Sequence, residues 1–375
     1  MLGGWLNRVR CPIGLDIGAH SIKMLQLERH RGALSVVAAD ERKLDGQAQP
    51  GDARFRDAAV SAIRAMLDDG RFVGHRVVSA LPDSGVTYKN LRIPKMPADE
   101  LRTAVEWEAA ERLHVGADDV SIQYFDAGEV RQGDELREEI IVVAADTKAI
   151  DHHLKLLQAC ELSPVAIEVA PAALARCLTP PVFEAEPGAA HVVVDVGYTA
   201  SKVLVVRDGR VVFFKPIDLG GRRFDEAVAQ HLNLPVRDAV ELRQRSLQTD
   251  DQGSAESGAS TRHRTLERKV YEAMRTVVGE LAKELSLCLR YYSVTFRGRR
   301  PEVLLLVGGE AYDPHVARVL AEGTGMDLAV HAPLEHVGLS RVADRFDVGR
   351  ALCEWAVPLG LSMRMPGAVR RRAAA

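Results

Sequence analysis

Ile13-Gly14-Leu15-Asp16-Ile17-Gly18-Ala19-His20-Ser21-Ile22-Lys23 is the stretch that decides the fold. An apolar run stops on Asp16, turns on Gly18 and resumes through Ile22 to Leu27, the pattern of strand, turn and strand. A carboxylate and a glycine at the mouth of such an element can hold a hydrated cation and bring backbone N–H groups close to a phosphate. An isolated Asp-x-Gly turn is common in hairpins. This one recurs.

The second copy is Val192-Val193-Val194-Asp195-Val196-Gly197-Tyr198-Thr199-Ala200-Ser201-Lys202. In both copies glycine stands two residues after the aspartate and lysine seven residues after it. Each copy then continues as an apolar run, a turn (29–32 and 207–210) and a second apolar run (33–39 and 211–216). Asp-Gly between apolar runs is a strong hairpin signal. An internal repeat of this size outranks any single motif and predicts two matching halves.

Bulk composition agrees with a folded α/β chain. Of 375 residues, 47% are apolar and 27% charged, enough for a sizeable core. The net charge of −3 argues against a nucleic-acid binder. The five cysteines are scattered singly, which disfavours a disulfide framework or zinc site and fits a reducing cytoplasm. No apolar run reaches the roughly 20 residues needed to span a bilayer. At the N-terminus, Leu2, Trp5, Leu6 and Val9 fall at helical spacing, either a short docking helix or a weak membrane-surface contact.

Along the first half the spacing predicts a helix over 55–67 and a strand over 77–81. There follow a strand over 86–93, a helix from 100 capped by Asp99, a strand over 120–125, a charged hairpin tip over 129–139, a strand over 140–145 and a helix over 149–162. This β-α-β-β-α run reads as an inserted subdomain. A strand over 165–169, a helix over 171–178 and a Pro/Gly-rich joint over 179–190 complete the half. The second half predicts helices over 224–231, 266–292 and 314–323, and an all-apolar central strand over 303–307. A last short helix covers 358–364 before a basic tail. The polar stretch DDQGSAESGAS, inside 248–264, reads as a mobile loop.

Three loops at strand ends therefore stand out: Asp16/Gly18, Asp195/Gly197 and Gly308-Gly309. Two facing glycine turns would clamp a polyphosphate, with Asp16 and Asp195 holding Mg²⁺ mostly through water. Gly308-Gly309 after a buried strand offers backbone flat enough for a nucleoside.

These residues resemble the actin-like ATPase superfamily. Within it the whole chain resembles the PilM family of type IV pilus assembly, which is related to FtsA. The resemblance rests on Gly14 to Gly18 with Ser21 and Lys23, on Pro94-Lys95-Met96-Pro97 with Glu100, Leu101, Glu106 and Ala109, and on Leu219-Gly220-Gly221. Val165 to Glu168, Ala173 to Arg176, and Gly360-Leu361 with Arg364 also carry it.

The resemblance implies an α/β, actin-like (duplicated ribonuclease H-like) two-domain fold with an inserted β-α-β-β-α subdomain. Its first subdomain would be 11–83 with 165–189 and 350–364, and its insert 84–164. Its second would be 190–222 with 302–349, and a helical nucleotide-side subdomain would cover 223–301. It implies binding of ATP with Mg²⁺, with weak or no turnover. The site residues would be Asp16, Gly18, Ala19, His20, Ser21, Lys23, Asp195, Gly197, Thr199, Gly220, Gly221, Glu280, Lys283, Gly308 and Gly309.

It also implies a PilN-like bitopic inner-membrane partner bound by its N-terminal tail, other pilus platform proteins, and a cytoplasmic chain peripheral to the inner membrane. Tyr88, Leu91 and Ile93 are either tail-groove residues or core. The chain departs from the family pattern at His20, where small hydroxyl residues are usual, at Leu113-His114-Val115, where Pro is frequent, and at Glu168, where Asp is common. The other readings are an actin-fold small-molecule kinase, against which the insert argues, and an FtsA-like filament anchor, which would want an amphipathic C-terminal helix.

Overall fold

The computed structural model describes residues 8–44, 51–116, 119–178, 188–248, 259–296, 301, 303–347 and 349–364. The chain forms two compact units. One comprises Met1–Ala190, Leu204–Phe214 and Ala332–Ala375, and the other His191–Val203 and Lys215–His331.

The repeat read from the sequence is a repeat of topology. Strands β1 (Arg8–Ile17), β2 (Ser21–His30), β3 (Ala33–Lys43), β4 (Arg76–Ala80) and β8 (Ser163–Glu168) form a sheet in the order β3-β2-β1-β4-β8. Strands β9 (Ala190–Val196), β10 (Ser201–Arg207), β11 (Arg210–Ile217), β12 (Val303–Val307) and β13 (Asp327–Val330) form another in the order β11-β10-β9-β12-β13. In each, a meander of three strands is extended by two parallel ones. Both second hairpins turn on two residues with positive φ, Arg31 (51°) and Gly32 (90°), Asp208 (51°) and Gly209 (71°). That geometry matches the natural twist of paired strands.

In the first unit, helix α1 (Ala53–Asp68) buries Phe55, Ala59, Ile63 and Met66 against Ile13, Leu15, Ile22 and Met24 of the sheet. Helix α3 (Thr147–Ala159) adds Leu156 and Leu157 to the same cluster. The end of the inserted run is thus packed into the core of the first sheet. The rest of the run is a layer of its own. Its strands β5 (Val86–Pro94), β6 (Val120–Gln132) and β7 (Glu135–Asp146) lie in the order β5-β7-β6. Helix α2 (Ala98–Leu113) sets Leu101, Val105 and Ala109 against Leu91, Ile93, Ile140, Val142 and Ala144. Leu91 and Ile93 are therefore core residues, not groove residues, and Tyr88 packs on Phe214 with ring centroids 4.4 Å apart.

Several expectations need correction. The charged tip over 129–139 is mostly strand, because β6 and β7 stay paired out to Gln132 and Glu135. Helix α2 starts at Ala98 behind Pro97, so Asp99 sits in its first turn and favours the helix dipole instead of capping it. Arg8 to Arg10 belong to β1 and pair with Glu28 to His30, so no helix covers them; residues 1–7 of that reading lie outside the described ones. Helix α7 (Ala259–Phe296) begins inside the stretch expected to be a loop, whose remaining part, 249–258, lies outside the described residues. So do 179–187 of the joint and the basic tail from 365 on. Helix α6 (Val236–Gln248) and strand β13 were not foreseen. The other helices, α4 (Ala170–Cys177), α5 (Gly221–Leu232), α8 (Pro314–Thr324) and α9 (Ala356–Ser362), fall within a few residues of expectation. All five cysteines are free and buried.

Candidate functional site

Both Asp-x-Gly loops close in the same way. The Gly18 N–H donates to the Ser21 carbonyl at 3.0 Å, and the Gly197 N–H donates to the Ala200 carbonyl at 3.2 Å. A Cβ on either glycine would lie 2.9 Å from that acceptor, closer than real Cβ atoms come. Only glycine fits either turn, which is the physical content of the repeated motif.

In the first unit Asp16, half-buried, stands opposite Lys23 across the β1–β2 ladder. Lys23 Nζ donates to Ser21 Oγ at 2.7 Å and pairs with Glu41 at 3.2 Å. Burial would raise the Glu41 carboxyl, yet Lys23 and Ser21 together hold it below its usual range. Ala19 and His20 complete the loop, and the His20 carbonyl accepts the Leu44 N–H at 2.8 Å. In the second unit the equivalent lysine reaches the aspartate itself, with Lys202 Nζ 3.6 Å from Asp195 Oδ2. Thr199 is half-buried in that loop.

The second loop gathers the other glycines. Gly221 N–H donates to the Gly197 carbonyl at 3.0 Å, and Arg222 N–H to the Tyr198 carbonyl at 2.8 Å. A Cβ on Gly220 would overlap the Gly197 carbonyl oxygen. Gly308, at φ +97°, leaves β12 beside Asp195, and Glu310 N–H returns to the Val196 carbonyl at 3.1 Å. Asp195, Gly197, Gly220, Gly221 and Gly308 thus form one close-packed cluster of backbone turns, with Gly309 exposed at its edge. Glu280 and Lys283 lie on the exposed face of α7, and no contact joins them to this cluster among the described residues.

Sequence reasoning missed what lies behind the glycines. Arg243 of α6 reaches Asp225 Oδ1 with Nε at 2.7 Å and Glu310 with Nη1 at 2.5 Å and Nη2 at 3.2 Å. Burial raises the Asp225 carboxyl, with Arg243 opposing. Burial would lower the Arg243 pKa, but the surrounding carboxylates more than reverse it and raise it. The one local sign was a face of α6 made of Ala239, Arg243 and Ser246 at helical spacing, all buried.

The stretches from 165, 173 and 360 meet in the first unit. Arg176 forms a bidentate pair with Glu168 at 2.9–3.0 Å and also donates to the Gly360 carbonyl, and Arg364 pairs with Glu168 too. A Cβ on Gly360 would overlap the Ala173 carbonyl, and one on Gly14 the Pro358 carbonyl. These residues lock α4 onto α9, and α9 onto β1.

The family "Type IV pilus assembly protein PilM" matches residues 14–366. The chain belongs to the PilM family. A solved structure described as a PilM-PilN type IV pilus biogenesis complex is 26% identical to it, covering 94% of this chain and 98% of that one at a TM-score of 0.75. The ethanolamine utilization protein EutJ from Carboxydothermus hydrogenoformans is 14% identical, with 94% and 89% covered at a TM-score of 0.55, a likeness of fold alone. The fold of this PilM-family chain is the actin-like one that the resemblance implied. Among the described residues no helix is long and apolar enough to cross a membrane, and no group of three or more His, Cys, Asp or Glu side chains could hold a metal ion.

Proposed function

We propose that this PilM-family chain is an ATP-binding scaffold of the type IV pilus assembly platform. It docks the N-terminal cytoplasmic tail of a PilN-like bitopic protein and so sits at the inner face of the inner membrane. The observation that carries the nucleotide half is the glycine cluster at Asp195, where four glycines in three backbone turns leave no room for side chains. Such bare backbone suits close approach of a phosphate chain. The partner half is supported by the 26% identity, over nearly the whole of both chains, to a structure described as a PilM-PilN complex.

Asp195 and Asp16 are single carboxylates in their own loops, which fits Mg²⁺ held through its water shell and by the phosphates better than a dedicated protein cage. The ion would neutralise phosphate charge. The chain's own part in the second unit is to present the backbone of the Gly197 and Gly220-Gly221 turns to the phosphates and the bare Gly308-Gly309 backbone to the nucleoside. Turnover is weak or absent.

Calorimetric titration of the full chain with Mg²⁺ and ATP tests the first half. Binding by the wild type and none by Asp195→Ala is the expected result; equal affinity in the variant overturns the reading. For the second half, a fluorescent peptide of the partner's cytoplasmic tail should bind the chain and a scrambled peptide should not. Equal binding of the two removes the docking role.

A further inference from the structure

Arg243 bridges a carboxylate of α5 and the one that follows Gly308-Gly309. We propose that it is a positioning residue for the ATP site: through Asp225 and Glu310 it clasps the Gly220-Gly221 turn to the Gly308-Gly309 turn. The inference rests on the ATP reading above.

The geometry is specific. Glu310 is fixed at its backbone by the bond to the Val196 carbonyl at 3.1 Å. Its carboxylate lies so close to Gly221 that any side chain there would overlap Oε1. Gly221 is the first residue of α5, behind the N-cap Gly220, and no side chain caps that helix. A carboxylate at this point places a negative charge beside the start of α5, whose first N–H groups donate to the Gly197, Tyr198 and Gly220 carbonyls that shape the turn. Arg243 meets that carboxylate with two nitrogens, at 2.5 and 3.2 Å. With the third it holds Asp225 of α5 at 2.7 Å. The guanidinium fork therefore spans the helix that begins at Gly221 and the residue that follows Gly308-Gly309.

The clasp is buried, with Arg243 at 7% and Asp225 at 1% side-chain exposure. Asp313, also buried, contributes a further negative field at Arg243 while capping α8 through His315 N–H at 2.9 Å. Tyr198 of the second loop packs its ring 3.1 Å from where a Gly221 Cβ would stand and lies within the electrostatic reach of Asp225. One cation thus balances three carboxylates from two segments, α5 and the turn that runs from Glu310 to Asp313, and ties them to the phosphate loop. Without it, Asp225, Glu310 and Asp313 repel one another, the turns separate, and Glu310 opposes an incoming phosphate.

The test uses the full chain, a fluorescent ATP analogue with Mg²⁺, and thermal melts on the same samples. Arg243→Met is expected to weaken nucleotide binding about tenfold or more, and Arg243→Lys, which keeps the charge but not the fork, about threefold. Adding Glu310→Gln to Arg243→Met removes the uncompensated charge and should recover a good part of the affinity. A purely structural Arg243 would lower the melting temperature without this ordering or this rescue.

Wild-type binding with Arg243→Met within twofold of it overturns the clasp and leaves the ATP reading standing. Absence of binding by the wild type overturns the ATP reading, and the clasp with it. Should Arg243→Met fail to fold, Arg243→Lys decides: affinity equal to wild type overturns the proposal.

Discussion

Asp195 Oδ1 occupies the space that a side chain on Gly308 would need, and Gly308 itself lies at φ +97°. Alanine at 308 would meet that oxygen and the Val196 carbonyl in a conformation that L-residues rarely adopt. Gly308→Ala should therefore cost at least about 2 kcal/mol, from backbone strain and overpacking together. Gly309, with nothing within 4 Å of its Cβ position, is the control. Gly309→Ala should leave the urea midpoint unchanged within about 0.5 kcal/mol. It should still weaken ATP binding, because the added methyl stands on the backbone offered to the nucleoside. Unchanged affinity would remove Gly309 from the site.

Glu168 is nearly buried and shared by Arg176 and Arg364. Removing one partner of a buried pair is costly because the remaining charge stays desolvated. Arg176→Met also deletes the bond to the Gly360 carbonyl that joins α4 to α9. A loss of about 3 kcal/mol in urea denaturation is expected. Restoring neutrality with Glu168→Gln in the same chain should return part of it. No recovery in the double variant would show that packing of α4 on α9, and not charge, carries the cost.

The fold was legible where local chemistry repeats. Asp16 to Lys23 and Asp195 to Lys202 announced two sheets of the same order, because hairpins and their turn residues are short-range features. Helix α6 was not legible, since its buried face is Ala239, Arg243 and Ser246 and offers no apolar stripe. Strand β13 is four residues long and mostly exposed, too short to give a period. The Arg243–Glu310 pair joins positions 67 apart, and only the fold brings them together. Charge misled at the β6–β7 tip, where exposed strands carry the acids and bases that a loop would. The motif from Pro94 to Pro97 proved to be an element boundary: Pro94 ends β5 and Pro97 precedes α2.

Two neighbouring positions of α2 separate core from surface. Val105 is fully buried against the inserted sheet, and Trp107 is 67% exposed. Val105→Ala removes two buried carbons and leaves a cavity, for an expected loss of about 2 kcal/mol. Trp107→Ala should fall within about 0.5 kcal/mol of wild type. Hydrogen exchange of the α2 amides reads both: faster exchange in Val105→Ala alone is expected. Equal acceleration in the two variants would mean that Trp107 is covered in solution.

His153 titrates against the first unit. Its Nε2 lies 2.9 Å from Ser79 Oγ, and Ser79 in turn donates to the Leu15 carbonyl at 3.0 Å, one residue before Asp16. With the serine proton so used, the Nε2–H of a neutral imidazole donates to Ser79. Burial lowers the His153 pKa from 6.5 to about 4. The folded value lies below the unfolded one, so the unfolded chain takes up the proton first. The contribution is fully present above the unfolded pKa and is lost as pH falls from 6.5 towards 4. At about 1.36 kcal/mol per pKa unit the whole loss is roughly 3 kcal/mol. Urea midpoints at pH 7, 6 and 5 should fall accordingly, and His153→Gln, which keeps a donor but cannot titrate, should flatten the fall over that window. A variant whose midpoint falls as steeply as the wild type would place the acid sensitivity elsewhere, with the buried carboxylate pairs as the next groups to replace.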